Sequence, residues 1–206
     1  MNDNWLSAPT PEQLTPFEPP ASEGAHHPDR GFTIGHRMES HGGLGRSGVI
    51  HTAHGTIATP AFIPVGTKAN VKALTPEMVR SLGAQAVLAN AYHLYLQPGS
   101  DIVDEAGGFG PFMNWSGPTY TDSGGFQLFS LDHMMKADAD GVTFHARDYD
   151  GSAHRWTPES NMDIQQRIGA DICMQLDQCI GYPCEKEDVA ASTALSWEWA
   201  KRCCDA

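Results

Sequence analysis

Asp122-Ser123-Gly124-Gly125-Phe126-Gln127 concentrates more chemical options than any other short stretch of this chain. Two adjacent glycines after Asp-Ser let the backbone approach a flat ligand closely and offer it N–H donors with no Cβ in the way. A partly desolvated carboxylate beside them can act as a general acid or base. The plainer reading is a strand-to-loop turn in which Asp122 or Ser123 caps the next helix. The spacing is not the G-x-G-x-x-G of a phosphate cradle. Leu176-Asp177-Gln178-Cys179 is the second stretch. A carboxylate at the end of a buried run needs partners. It can accept N–H bonds from an amidine-like edge such as that of guanine, or close a salt bridge to a neighbouring Arg or Lys. Cys179 either lines the same pocket or is a small buried thiol. In Asn90-Ala91-Tyr92-His93, Asn90 can orient a carboxylate or hold a sugar hydroxyl, and His93 is either a general base or a core or capping histidine. Tyr120 and Phe126 are either packing aromatics or the two walls of a slot for a planar base. Asp138, Asp140, Asp148 and Asp150 lack the spacing and closing Glu of a calcium loop and read as a solvated hairpin.

The elements around these residues give them a common position. Ala86–Ala89 is a short apolar run that leads into Asn90; Pro118–Thr121 leads into Asp122, and Ile172–Leu176 into Asp177. In parallel α/β folds the carboxyl ends of the strands face the active-site mouth, so three polar residues at three strand ends point to one site. Thr75-Pro76-Glu77 opens a helical segment that closes at Gly83, and Thr157-Pro158-Glu159 opens another that closes at Gly169. Thr can cap each helix, Pro suits its first turn, and Gly permits a left-handed exit. Helix, glycine and buried strand thus recur in one order, which predicts an α/β fold with parallel strands. A last helix is expected over Lys186–Arg202, with Val189, Ala190, Ala194 and Trp197 on one face. Ahead of these units, Phe32–Ile34, Gly48–Thr52 and Gly55–Ala58 read as hairpin strands with turns at Gly42-Gly43 and His54-Gly55, an antiparallel cap before the main fold. Residues 1–30, punctuated by prolines, are expected to be a flexible leader, which leaves 31–206 as the folded part.

Composition narrows the classes. The 206 residues carry 13 Lys+Arg against 25 Asp+Glu, a formal net charge of −12, which argues against gripping nucleic acid by charge alone. No apolar stretch approaches the roughly 18 residues of a membrane span, and the first residues lack the pattern of a secretory signal. The five cysteines, Cys173, Cys179, Cys184, Cys203 and Cys204, contain no Cys-x-x-Cys and form no four-ligand zinc spacing with the histidines. They read as reduced thiols of a cytoplasmic protein.

Five stretches taken together resemble the tRNA-guanine transglycosylase family: residues 59–67, 88–94, 121–131, 157–161 and 174–179, in family order and spread over a region from about residue 32 to 206. The resemblance implies a (β/α)8 TIM-type barrel, here incomplete and N-terminal, preceded by the small antiparallel β cap; a whole barrel takes about 250 residues. It implies an enzyme that exchanges guanine at wobble position 34 of GUN-anticodon tRNAs for a queuosine precursor by double displacement through a covalent ribosyl intermediate. Asp122 matches the general acid/base, and the stretch Asp122, Ser123, Gly124, Gly125 and Phe126 matches the substrate loop, with Phe126 stacked on the base. Asp177 matches the reader of the base's N–H edge, Asn90 a neighbour of the acid/base carboxylate, and Cys179 the bacterial pattern, which favours preQ1. The family's nucleophilic aspartate, Cys/His zinc site and basic tRNA-binding segments belong to its C-terminal half. The expectation is therefore a fragment, inactive alone, that binds no zinc through its own residues; the full-length protein is expected to be a homodimer that acts on tRNA, away from membranes. A non-catalytic tRNA- or partner-binding subunit is the alternative, but it would need none of Asp122, Ser123, Gly124, Gly125 and Asp177. An unrelated barrel glycosidase is remote once the motifs occur in order.

Overall fold

A computed structural model describes residues 31–38, 45–132 and 135–206. The proposed leader 1–30 and the Gly42-Gly43 turn lie outside the described residues. The first elements are β1 (Gly31–Arg37), β2 (Arg46–Thr52) and β3 (Gly55–Thr59), an antiparallel meander in the order β1-β2-β3. Its second turn is Ala53-His54, with Gly55 already in β3.

The main sheet is parallel. β4 (Val87–Asn90), β5 (Thr119–Asp122) and β9 (Ile172–Cys173) lie side by side, and Val65 adds a parallel bridge to Leu88. In this register Asn90 sits beside Asp122 at the carboxyl ends. Between the strands run α1 (Pro76–Ser81), α2 (Ala91–Leu96), α3 (Ser100–Glu105), α4 (Phe109–Met113), α5 (Gly125–Leu131) and α6 (Pro158–Ile168). A second antiparallel meander, β6 (Lys136–Asp138), β7 (Gly141–His145) and β8 (Ala153–Trp156), separates α5 from α6. The chain ends in α7 (Lys186–Asp205).

Both Thr-Pro-Glu segments are helix starts. The Thr75 hydroxyl accepts from the Met78 N–H, and Thr157 and Ser160 form a reciprocal capping box, each with Pro in the first turn. α6 ends on Gly169 in the left-handed conformation. The antiparallel cap docks on the amino ends of the parallel strands, where Gln85 exchanges two hydrogen bonds with the Ala58 backbone. There the buried Asp171 carboxylate joins His54 of the β2–β3 turn to the first residue of β5, Thr119. The opposite, carboxyl ends stay available for chemistry. Beneath them Tyr92, Phe144 and Trp156 pack as tilted and edge-on rings in a core that continues through Leu94, Leu128, Phe109 and Trp199.

The observed architecture is mixed α/β built from three small sheets, and no closed barrel forms among the described residues. Three sequence expectations change. The strand expected over Ile172–Leu176 pairs only through Cys173, because the Met174 N–H and carbonyl bond to the Gln165 side chain instead of to a neighbouring strand. The acidic residues flank a three-stranded meander rather than one hairpin: Asp138 pairs with Arg155 across the sheet, and Asp150 accepts from Ser152. The last helix turns another face inward. Val189, Ala190, Ala194 and Trp197 are exposed, and Ser192, Trp199 and Cys203 are buried. Trp197 and Trp199 lie about 200° apart around a helix, so only one can face the core; Trp199 does, donating its indole N–H to the Ala139 carbonyl at 3.0 Å. No helix among the described residues is long and apolar enough to cross a membrane.

Truncation therefore separates the two tryptophans. Trp199→Ala is expected to lower unfolding free energy by about 3–5 kcal/mol, and Trp197→Ala, at 53% exposure, to stay within about 0.5 kcal/mol of the parent. Urea denaturation followed by far-UV circular dichroism reads both; equal losses would reject this orientation of α7.

Candidate active site

Asp122 ends β5 with its carboxylate half-buried against the start of α2. Three donors meet it: Asn90 Nδ2 at 2.7 Å on Oδ2, and the backbone N–H groups of Ala91 and Gly124, each at 3.2 Å, on Oδ1. Burial pushes its pKa above the ordinary aspartate value, and the negative charge of Asp177 adds to that; the three hydrogen bonds pull the other way without cancelling it. Asn90 is held in turn, its Oδ1 capping α2 by accepting the His93 N–H at 3.0 Å. The asparagine is 3% exposed and serves helix and carboxylate at once.

The two glycines have distinct reasons. Gly124 takes φ +77°, the left-handed region, and sits on the Tyr92 backbone and Cβ so closely that a side chain would collide. Gly125 lies flat against Asp177, where a Cβ would run into the Asp177 carboxylate and its carbonyl. Ser123 joins the two halves: its hydroxyl accepts from the Gly125 N–H at 3.2 Å and donates to Asp177 Oδ1 at 3.5 Å. The Cys179 thiol donates to Asp177 Oδ2 at 3.6 Å. Burial first, then the Asp177 charge, push that thiol up to about 11, so it is protonated near neutral pH. The ion pairs among the described residues do not include Asp177, so the salt-bridge alternative for it is not realised there.

Asn90, Asp122, Ser123, Gly124, Gly125, Asp177 and Cys179 are thus one connected cluster at the carboxyl ends of neighbouring parallel strands. Phe126 stands beside it in the first turn of α5, 61% exposed. Tyr120 lies one pleat below Asp122 on the same face of β5. His93 is turned away, its Nδ1 bonded to the Tyr149 hydroxyl at 2.8 Å, and burial lowers its pKa. Two cavities, of about 580 and 660 Å³, lie elsewhere: one at the amino ends around Arg80, Trp115 and Thr119, the other between Gln178 and Ser192. Neither is lined by Asp122 or Asp177. No cluster of three or more His, Cys, Asp or Glu among the described residues is arranged to hold a metal ion, so these residues do not fit a zinc site.

Two residues to which the sequence reading assigns no role matter here, although Asn161 closes the family-like stretch 157–161. Asn161 and Gln165 of α6 are wholly buried, and the Asn161 side chain donates to the Ser123 carbonyl at 2.8 Å. Their signal is in the sequence: they fall with Ile164 and Ile168 on the helix's buried stripe, at positions where apolar residues are the rule.

The raised pKa of Asp122 has a thermodynamic consequence. The folded chain binds a proton there more tightly than an unfolded aspartate with its value near 3.8. Between that value and the raised one the native state holds more protons, so stability falls as pH rises. The stability of the parent relative to Asp122→Asn is expected to decline as pH climbs from below 3.8 to neutrality; denaturant midpoints of both across that range test it, and a constant or growing difference contradicts the shift.

The sequence model described as queuine tRNA-ribosyltransferase matches residues 41–206. A queuine tRNA-ribosyltransferase of Pelotomaculum thermopropionicum is 49% identical over 172 residues, covering 84% of this chain and 46% of the relative. Proteins of the same name from Desulforamulus reducens and Synechococcus elongatus are 52% and 51% identical over 158 and 162 residues, which is 77% and 79% of this chain and 42% of each relative. The chain thus spans somewhat under half the length of these curated relatives. On the extent of these matches, the chain belongs to the queuine tRNA-ribosyltransferase family, the tRNA-guanine transglycosylases that its motifs resemble.

Proposed function

We propose that this chain carries the base-recognition half of a tRNA-guanine transglycosylase, which exchanges guanine at position 34 of GUN-anticodon tRNAs for preQ1. The observation that carries the reading is the contrast between two carboxylates joined through Ser123. Asp122 already accepts three good hydrogen bonds, whereas both contacts of Asp177, from a hydroxyl and a thiol, are 3.5 Å or longer. A carboxylate offers about four lone-pair sites, so Asp177 keeps most of its capacity for the N–H edge of a guanine-like base. Asp122, raised in pKa by its surroundings, is suited to hold and return a proton as one base leaves and the next enters. Phe126 can cover the face of the ring, and the nucleotide must leave its stack to reach either carboxylate.

Retaining exchange at an anomeric carbon needs a second carboxyl group as nucleophile, opposite an oxocarbenium-like transition state. In this reading the nucleophile, the zinc site and the basic segments that hold tRNA belong to the part of the family fold beyond the matched stretch. The same reading places β4, β5 and β9 in the first part of a (β/α)8 barrel, with a homodimer as the complete assembly and the cytoplasm as its compartment. Cys179 beside Asp177 matches the bacterial pattern of the family, which supports preQ1 as the incoming base.

Isothermal calorimetry with guanine and with preQ1 tests the proposal on the 206-residue chain. Binding is expected, weakened at least about 100-fold in Asp177→Ala, in line with the loss of a paired recognition group. A folded chain that binds neither base overturns the reading. Exchange of labelled guanine into tRNA by these 206 residues alone, abolished by Asp122→Asn, would overturn the assignment of the nucleophile to residues outside the chain.

A further inference from the structure

We infer that Asn161 is a positioning residue for the Asp122 carboxylate, acting through the one peptide unit that joins Ser123 to Gly124. Both ends of that unit are in use. Its carbonyl, on Ser123, accepts from Asn161 Nδ2 at 2.8 Å, and its N–H, on Gly124, donates to Asp122 Oδ1 at 3.2 Å. The carbonyl and N–H of a trans peptide are fixed in one plane and point in opposite directions. Anchoring the carbonyl on the α6 side therefore aims the N–H at the carboxylate. The anchor matters because glycine at 124 permits more than one orientation of this plane.

Asn161 is itself oriented. Its Oδ1 accepts from Gln165 Nε2 at 2.8 Å, which leaves Nδ2 as the atom facing the Ser123 carbonyl. Gln165 is saturated: Nε2 also donates to the Met174 carbonyl at 2.7 Å, and Oε1 accepts from the Thr121 hydroxyl at 2.9 Å and the Met174 N–H at 3.0 Å. The pair thus ties the end of β5, the Asp122 loop and the segment that leads to Asp177 to one helix. Leucine would fill a wholly buried position of α6 equally well; the amide is distinguished by the bond it makes.

Other charges do not offer a competing route. Asp177 is the charged group that bears on Asp122. From α2, Asn90 and the Ala91 N–H face it, while His93 turns to Tyr149. Tyr120 shares its strand, and Cys179 bonds Asp177. α6 contributes only the neutral amides. Losing Asn161 removes no charge, so an effect on Asp122 ionisation must come through geometry. The lost Gly124 N–H favours the ionised form, and its absence moves the carboxyl upward.

The value of this for proton transfer rests on the acid–base reading of Asp122 given above. The test does not depend on it: the Asp122 carboxyl is followed by NMR in the 206-residue chain carrying 13C-carboxyl aspartate, and assigned by its disappearance in Asp122→Asn. Asn161→Leu is expected to raise the titration midpoint by about half to one pH unit, and Ile164→Val, which loosens the same helix without touching the peptide, to leave it in place. An unchanged midpoint in folded Asn161→Leu, or an equal shift in Ile164→Val, overturns the inference. Asn161→Ala is measured alongside. Should neither variant at 161 fold, the parent decides. The Gly124 amide proton and the Asn161 Nδ2 protons must both follow the Asp122 titration, and Nδ2 protons that stay still overturn the relay. Guanine affinity in the same samples keeps the two ideas apart: absent binding defeats the base-recognition reading, while the carboxyl midpoint alone judges Asn161.

Discussion

A carboxylate at the end of a buried strand must be surrounded by donors that the fold itself supplies, and much of the local architecture answers that demand at Asp122. The parallel register of β4 and β5 brings Asn90 alongside. The immediate start of α2 after Asn90 presents the Ala91 N–H, one of the orphan donors at a helix N-terminus. The left-handed Gly124 folds the chain back so that its own N–H reaches the same oxygen. Two strands, a helix start and a glycine turn thus converge on one group. The carboxylate is satisfied well enough to exist there, yet burial still prevails over the hydrogen bonds in setting its proton affinity.

Steric demands bind the second carboxylate to the first. Asp177 can lie against the Asp122 loop only because position 125 has no side chain, and the loop can lie on Tyr92 only because position 124 has none. Tyr92 is in turn fixed by edge-on and tilted contacts with Trp156 and Phe144 from the β6–β8 meander. Packing in that meander, remote in sequence, therefore reaches the loop between the two carboxylates through the Tyr92 ring and through Trp156, which itself lies against Gly124. Asp132, at the end of α5, reinforces the connection by accepting from the His145 backbone and the Arg147 guanidinium.

What the sequence made legible were local signals with a single physical meaning. Thr-Pro-Glu marks a capped helix start at residues 75–77 and at 157–159, and Asn90 and Asp122 ending apolar runs mark strand ends on one side of a sheet. What it hid were choices made by tertiary partners. The apolar content of α7 fits two stripes, and only the availability of the Ala139 carbonyl and the space beside Pro158 select the stripe of Trp199 and Cys203. The end of β9 is equally invisible in Ile172–Leu176, because it is a side chain of α6 that takes over the Met174 backbone. The polar residues Asn161 and Gln165 interrupt an otherwise apolar stripe, a departure that marks a function for the amides even before their partners are known. The family resemblance located the two carboxylates, but the geometry adds how each is held.

The two faces of the parallel sheet are unequal, and the inequality bears on the candidate site. Val87, Ala89, Thr119 and Thr121 point to the helices and are buried. The alternate row, Val65, Leu88, Tyr120 and Ile172, runs straight across all four parallel segments and none of its members is buried, Val65 being 55% exposed. Parallel sheets are stable with both faces covered, and among the described residues this row is left unburied. Asp122 lies one pleat beyond that row, on the same face as Tyr120. Whatever covers Val65, Leu88, Tyr120 and Ile172 must therefore end beside the carboxylates. Under the proposed function, the surface that buries this row and the surface that supplies the nucleophile are then continuous.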